Sequence, residues 1–557
     1  MKHRELWLRL SLVLIGFIFY AGAIWDNHWS PIDDGNDLNQ MVQWRQHVAH
    51  GQFIFHTSAS GLFRPAYGLL RFGEYFLCGF SCTRYHLIHL LVMLGTAQLL
   101  FSITRRVVDS TRAAWLVAML FTLFSPNVEN WFRLDYPTVF AVVSMWFFVR
   151  SLDEPPERTG WRWLTFAMAA ATLAPAYFVK ETSMAFTGLG LGLFAACWVG
   201  AGDLLARRNR VLTGAYLAAQ LATVAAWFLL RGIAGIKSIS GGVYTSDYST
   251  SPLVMLATAF KYADVVWNGF QFLAVIALAL FAWRMLTRLR MRQPLEAIDG
   301  WSFAGLCWFG ATLAIMLPWK HPIARYLGTG VPGLAMFVGL TLWGFFNETK
   351  QASASARQRG KKLLRGLIVV NLAILPVITA IRNYNYLVFR HDFDCAAFQT
   401  VQSVSQTAPA NAKLFMNVPA ESVFMFDEMM IYMRLFFGRE DLAQINYNKF
   451  PRPEPQAGDC FLVYVREPET PRSAAMWLPE SFHTAALSQL KDRLKLMECF
   501  RYDRRLWSSY PDAPVFGLVA GAGFKLPDYL GMNPAHKRAL FMRELSLVEW
   551  RVYRFEK

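Results

Sequence analysis

The sequence predicts a polytopic α-helical membrane protein that ends in a folded α/β or α+β domain outside the bilayer. Three observations carry this prediction. Of the 557 residues, 54% are hydrophobic and only 17% are charged, with a mean hydropathy of +0.26; soluble domains average about 25% charged residues. The apolar residues gather in runs of about 20, the length a helix needs to cross a bilayer core. Lys and Arg then concentrate in every second connection between those runs, which is the positive-inside pattern. The same hydrophobicity excludes a disordered chain. The net charge of +16 and pI near 9.6 are read as topology, with no nucleic-acid partner.

About eleven transmembrane helices are expected, near 5–24, 85–104, 113–125, 136–150, 162–178, 183–200, 211–231, 262–284, 301–317, 327–346 and 364–381. Lys2, Arg4 and Arg9 precede or open the first. Arg105 and Arg106, Arg207 and Arg208, Arg288 and Arg290, and Lys361 and Lys362 mark later connections on the same side. The N-terminus is therefore expected in the cytoplasm of a plasma membrane, a bacterial inner membrane by preference. Eleven crossings place residues 383–557 outside. Residues 1–23 also fit a signal peptide, with Ala21-Gly22-Ala23 as a cleavage site; the long apolar run favours a retained helix.

The chain divides into a transmembrane module, 1–382, with a large first outer loop, 25–84, and an extracytoplasmic domain, 383–557. Two amphipathic stretches in that loop, 36–52 and 62–80, suit a membrane interface. Residues 232–260 form a Gly/Ser/Tyr-rich outer loop, and 346–363 a basic linker suited to anionic headgroups. In the tail, 413–418, 460–465 and 547–555 read as strands, and 427–438 and 485–497 as helices. Seven cysteines are present. Cys460 and Cys499, both expected outside, are a candidate disulfide. No CxxC, His/Cys metal spacing, GxSxG or HExxH occurs.

The candidate chemistry lies in the first outer loop. Asp33-Asp34, with Asp37 nearby, follows the first helix directly. Paired carboxylates at a water–lipid boundary can take a proton from an alcohol, and their mutual repulsion favours protonation or a bound cation at one of them. Asp-Gly and Asn-Asp are equally common in turns, so both readings stand on these residues alone. Basic residues share that side: Arg64 before Pro65, Arg133 with Asp135, Lys180-Glu181, Lys320-His321, and Arg325-Tyr326. Arg binds phosphate bidentately and Lys as a point charge; singly, each could equally snorkel to the interface. His86 and His89, at i and i+3 with no third ligand in view, read as interhelical hydrogen-bonding residues.

Taken in order, these pieces resemble a C-type glycosyltransferase, the polytopic superfamily that uses polyprenyl-phosphate sugars. The likeness is greatest to protein O-mannosyltransferases and aminoarabinose transferases. It rests on Asp33-Asp34 after helix one, Phe63-Arg64-Pro65-Ala66-Tyr67 through Tyr85-His86-Leu87-Ile88-His89, Val179-Lys180-Glu181-Thr182, and Arg325-Tyr326-Leu327 with Pro332-Gly333-Leu334. It covers about residues 1–345; the tail lacks the repeat and MIR-type domains of some relatives. The resemblance implies inverting transfer from a polyprenyl-phosphate-linked sugar to a hydroxyl of a glycan, lipid or protein acceptor. Asp33 or Asp34 would be the base. Arg64, Lys180 and Arg325, then Arg133 and Lys320, would hold the donor phosphate. Asp37, Asp135, Glu181, His321 and Tyr326 are the accompanying candidates. No cofactor is required; a divalent metal is compatible with Asp33 and Asp34. Trp29, Trp131, Trp319 and Tyr326 could stack on sugar rings or form an interfacial belt.

Two rival readings remain at this stage. A lipid or solute transporter, or flippase, fits the helix count, but transporters commonly hold ionisable groups near mid-bilayer, and here the polar candidates gather at one rim. A non-catalytic scaffold with an outer binding domain also fits.

Overall fold

The computed structural model describes residues 2–25, 28–29, 34–49, 63–153, 158–200, 207–235, 248–319, 324–351, 357–416, 423–446, 453–466, 490, 492–504 and 546–556. The helices run in chain order as α1 (Lys2–Tyr20), α2 (Asp34–Ala49), α3 (Pro65–Cys78), α4 (Cys82–Val108), α5 (Thr111–Thr122), α6 (Tyr136–Asp153), α7 (Thr159–Ala171), α8 (Leu173–Val179), α9 (Thr187–Val199), α10 (Arg207–Ile233), α11 (Pro252–Phe270), α12 (Phe272–Arg290), α13 (Ala297–Met316), α14 (Val331–Gln351), α15 (Arg357–Thr407) and α16 (Val423–Phe437). Short 3-10 segments at Ser125–Trp131, Glu181–Phe186 and Ala324–Gly330 lead into α6, α9 and α14.

Among the described residues, seven helices are long and apolar enough to cross a membrane: α4, α9 with its leading turn, α10, α12, α13, α14 and α15. The protein is thus polytopic and mostly helical. The other four expected spans fall on α1, α5, α6 and the α7–α8 pair. Of these, α5 has 12 residues and α7 has 13, while α1 carries Lys2, Arg4, Glu5 and Arg9. Exposed Trp7, Leu14, Ile18, Trp198 and Leu229 give the bundle an apolar exterior, as lipid requires.

Two expected helices are broken. The run at 262–284 divides at Gln271, whose φ of 52° belongs to the left-handed region. α11 itself starts at Pro252, inside the stretch expected as loop, with proline in its first turn. The run at 162–178 divides at Thr172. Apolar periodicity does not register a single residue that changes the helix direction.

Glycines set the spacing at the centre of the bundle. A Cβ on Gly305 of α13 would sit 2.5 Å from the Gly333 carbonyl oxygen of α14, and one on Gly192 of α9 would sit 2.6 Å from Ala304 Cα. Small residues allow such close helix contact in membranes. α13 therefore lies as a thin spacer between α9 and α14, and it holds the turns at Glu181–Phe186 and Ala324–Gly330 side by side.

α15 is 51 residues long with Pro376 inside it. It passes through the expected boundary at 382/383 without a break and packs on a five-stranded sheet. The strands are β1 (Lys413–Met416), β2 (Ala443–Asn446), β3 (Cys460–Arg466), β4 (Leu494–Arg504) and β5 (Ser546–Phe555), in the order β2-β1-β3-β5-β4. β1 pairs in parallel with β2 and β3, whereas β5 is antiparallel to β3 and β4. Phe393, Val401, Met429, Phe461 and Trp550 form its core, and Trp29, Leu38, Met41 and Tyr85 of the first loop and α4 join it.

Two expectations for the tail are corrected. The helix at 485–497 is strand β4 from Leu494 onward, because its ten-residue pairing with β5 outweighs local helix preference; 485–489 lie outside the described residues. Cys460 and Cys499 are free. They lie on strands separated by β5, opposite Arg554 and Arg551. Two strand spacings come to about 9.5 Å, beyond the roughly 7 Å limit for a disulfide.

Candidate functional site

Arg64 immediately precedes Pro65, which opens α3 at its first turn; proline is preorganised for that position. The Arg64 side chain makes no cap bond and reaches across the bundle. Its Nε donates to Glu181 Oε2 at 2.9 Å and its Nη2 to Oε1 at 2.5 Å, a bidentate fork. Lys180 is extended (φ −158°, ψ 134°) between α8 and the turn that follows, so its side chain diverges from that of Glu181. Its Nζ lies 4.4 Å from the centroid of the Tyr326 ring. Arg325 packs on the same ring, with Cζ 5.4 Å from the centroid, and places Nη1 2.6 Å from Glu129 Oε1. Arg133 donates to that carboxylate oxygen at 3.2 Å. Asn130 donates to the Arg325 carbonyl at 3.1 Å.

Asp135 directly precedes α6. It accepts hydrogen bonds from the Thr138 hydroxyl and from the Thr138 backbone N–H, the second being the bond a helix-capping aspartate makes, and it also lies within electrostatic reach of Lys180 and Arg325. Four cations (Arg64, Lys180, Arg325, Arg133) and three carboxylates (Glu129, Asp135, Glu181) therefore share one region.

Burial and neighbouring charge set the protonation of these groups. Burial lowers the Lys180 ammonium, and Arg64 and Arg325 lower it further against the opposing pull of Asp135, leaving it at about 8. Burial raises the Asp135 carboxyl despite Lys180. Burial also pushes Glu129 upward, but Arg325, Arg133 and Arg390 overcome it and hold the carboxyl down at about 2. An ionised Glu129 thus fixes two of the cations, while burial keeps the Lys180 ammonium down at about 8. With every group ionised the cluster carries one excess positive charge, the balance that suits a singly charged anion.

A second network adjoins the first. His89 Nε2 lies 2.7 Å from Glu74 Oε1, and its Nδ1 lies 2.6 Å from the Phe132 carbonyl oxygen. Arg71 donates to Glu74 Oε2 at 2.8 Å. Trp29, Met41, Arg71, Tyr85, His86, His89, Phe132 and Arg133 line a small cleft here. His89 is thus the interhelical hydrogen-bonding residue expected of it. Trp131 is buried and stacked on Tyr20 at 4.1 Å, so its face is closed to a sugar and the first of its two readings falls. Trp319 lies beside Tyr326, with ring centroids 6.2 Å apart.

Of the residues singled out from sequence, Arg64, Arg133, Asp135, Lys180, Glu181, Arg325 and Tyr326 come together. Asp33, Lys320 and His321 lie outside the described residues. Asp34 and Asp37 begin α2, and their side chains are outside the described set. Sequence reasoning missed Glu129, Asn130 and the Glu74–His89 pair. The available signal for Glu129 was an acid four residues before Arg133 in a mostly apolar loop.

No protein-family model matches the sequence, and no curated protein sequence does. Solved structures do. The chain is similar to ArnT from Cupriavidus metallidurans bound to undecaprenyl phosphate, at 14% identity and a TM-score of 0.50, over 88% of this chain and 95% of that one. The chain shares the fold of that structure. ArnT from the same organism in the apo state matches at 13% identity and a TM-score of 0.49, over 89% and 96% of the two chains. The archaeal oligosaccharyltransferase AglB from Archaeoglobus fulgidus, in complex with an inhibitory peptide and a dolichol-phosphate, matches at 12% identity and 0.45, over 82% and 62%.

Proposed function

We propose that this protein is an integral-membrane glycosyltransferase that moves a sugar from a polyprenyl-phosphate carrier to an acceptor hydroxyl on the extracytoplasmic face. The observation that carries the reading is the convergence of Arg64, Lys180 and Arg325, with Arg133 joined through Glu129, around Tyr326. These cations come from four separate turns of the chain. A membrane protein has little reason to gather them at one end of an apolar bundle except to hold an anion. The ArnT likeness supports a lipid-phosphate anion, because that protein was solved with undecaprenyl phosphate on the same fold.

The chemistry follows from charge. An acceptor hydroxyl attacks the anomeric carbon from the face opposite the phosphate, so configuration inverts. The bond from that carbon to the phosphate oxygen breaks, and polyprenyl phosphate leaves with the electron pair. Asp33 or Asp34 takes the hydroxyl proton. Lys180, Arg64 and Arg325 meet the growing negative charge on the leaving phosphate, an electrostatic role that needs groups already in place. Asp135 holds Lys180 toward them. A divalent ion at Asp33 and Asp34 is compatible with this scheme and not demanded by it.

The test is transfer in membranes supplied with candidate lipid-phosphate sugars and acceptors, with Asp33→Asn and Asp34→Asn assayed separately. At least one should lose activity. Full activity in both removes the base assignment. Mass spectrometry of co-purified lipid should find a polyprenyl phosphate; a preparation that carries none and binds none removes the donor reading.

A further inference from the structure

One face of α15 clasps the segment that carries Glu129 and Arg133. Thr379 donates to the Leu123 carbonyl at 2.8 Å, and Arg382 donates to Ser125 Oγ at 3.3 Å. One turn further along, the Tyr386 ring lies 6.1 Å from that of Phe132. Arg390 then places its guanidinium carbon 5.7 Å from the centre of the Phe132 ring and lies within electrostatic range of Glu129. Positions 382, 386, 390 and 394 follow the i, i+4 repeat of a single helix face. Arg390 is anchored by Asp394, Nε to Oδ2 at 2.7 Å, and both are buried.

The next turns of α15 belong to the C-terminal domain. Phe393, Ala397 and Val401 are core residues against Tyr464 and Trp550. Phe132 is held from the opposite side by His89 through its carbonyl. The segment that positions Arg325 and Arg133 is therefore gripped between α4 and a helix whose other end is the core of the domain.

We propose that Arg390 is a positioning residue of the prenyl-phosphate site, through which the C-terminal domain and the bound phosphate are energetically linked. The guanidinium steadies Phe132 and Glu129, Glu129 steadies Arg325 and Arg133, and the domain fixes the helix that presents the guanidinium. Linkage is reciprocal: phosphate binding must in turn tighten the α15–domain junction.

This inference rests on the polyprenyl-phosphate reading, and the experiment separates the two. Farnesyl phosphate is titrated into the 557-residue protein in detergent micelles. Hydrogen exchange of residues 390–407 is followed with and without it. The variants are Arg390→Lys, Arg390→Gln, and Arg390→Gln combined with Asp394→Asn, the last leaving neither charge buried alone. In the unaltered protein, farnesyl phosphate should bind and slow exchange across 390–407. Arg390→Gln and the double variant should weaken binding about tenfold and abolish that ligand-dependent protection. Arg390→Lys should recover part of both. A purely structural role for Arg390 would lower the melting temperature without creating or removing a ligand-dependent change in the domain. Binding by the unaltered protein with unchanged exchange, or equal affinity in the well-folded double variant, overturns this inference alone. Failure of the unaltered protein to bind farnesyl phosphate overturns the donor reading and this inference with it.

Discussion

Replacing Glu129 with Gln removes the carboxylate that joins Arg325 to Arg133 while keeping its size and an acceptor oxygen. The magnitude follows from the carboxyl, which is drawn from an ordinary 4.5 to about 2 in the folded protein. Each tenfold change in proton affinity corresponds to about 1.4 kcal/mol, so ionised Glu129 contributes about 3 kcal/mol of stability at neutral pH. A depressed folded-state value means that this contribution is complete above about pH 5 and fades as the pH falls through about 2. Glu129→Gln should therefore unfold more easily than the unaltered protein at pH 7 by about 3 kcal/mol, and the gap should narrow steadily toward acid. The assay is thermal unfolding in detergent at a series of pH values, with farnesyl phosphate binding measured alongside. Affinity should fall with stability, because two cations lose their shared anchor. A gap of constant size from pH 7 to pH 3 would refute the argument, since the destabilisation would then be unrelated to the charge on Glu129.

Two further expectations concern the same site. Lys180 titrates near 8, so a phosphate monoester should bind best below that value and lose affinity by up to about tenfold per pH unit above it; Lys180→Arg, which keeps its charge, should flatten that alkaline limb of the binding profile. Gly305→Leu places a side chain where a Cβ alone would stand 2.5 Å from the Gly333 carbonyl, so it should cost about 3 kcal/mol or more and weaken farnesyl phosphate binding by separating the turns that carry Lys180 and Arg325. Gly73→Ala is the matched control, because a Cβ there meets nothing within 4 Å, and a similar loss in both variants would show that the helix spacing is not responsible.

Legibility from sequence was uneven for reasons that can be traced to particular residues. The cations stood out because most connections on their side hold few Lys or Arg, and Arg64, Lys180 and Arg325 each flank Pro, Glu or Tyr. Glu129 did not stand out, because a lone acid beside Asn and Trp reads as an interfacial loop. The 485–497 stretch reads as a helix because Leu487, Leu490, Leu494 and Met497 recur at helical spacing, whereas the partner of β4, Ser546–Phe555, begins more than 40 positions further on.

Hydrophobic runs and the distribution of Lys and Arg determined by themselves that this is a polytopic membrane protein with a folded tail. Both are local properties, decided by whether a stretch of side chains is compatible with lipid or with water. Tertiary structure alone decided which charges meet. Arg64 and Glu181 are 117 positions apart, and Glu129 and Arg325 are 196 apart. No periodicity in the chain records such pairings, because they depend on how closely α9, α13 and α14 approach one another, and that distance is set by glycines whose contacts become visible only once the helices are packed.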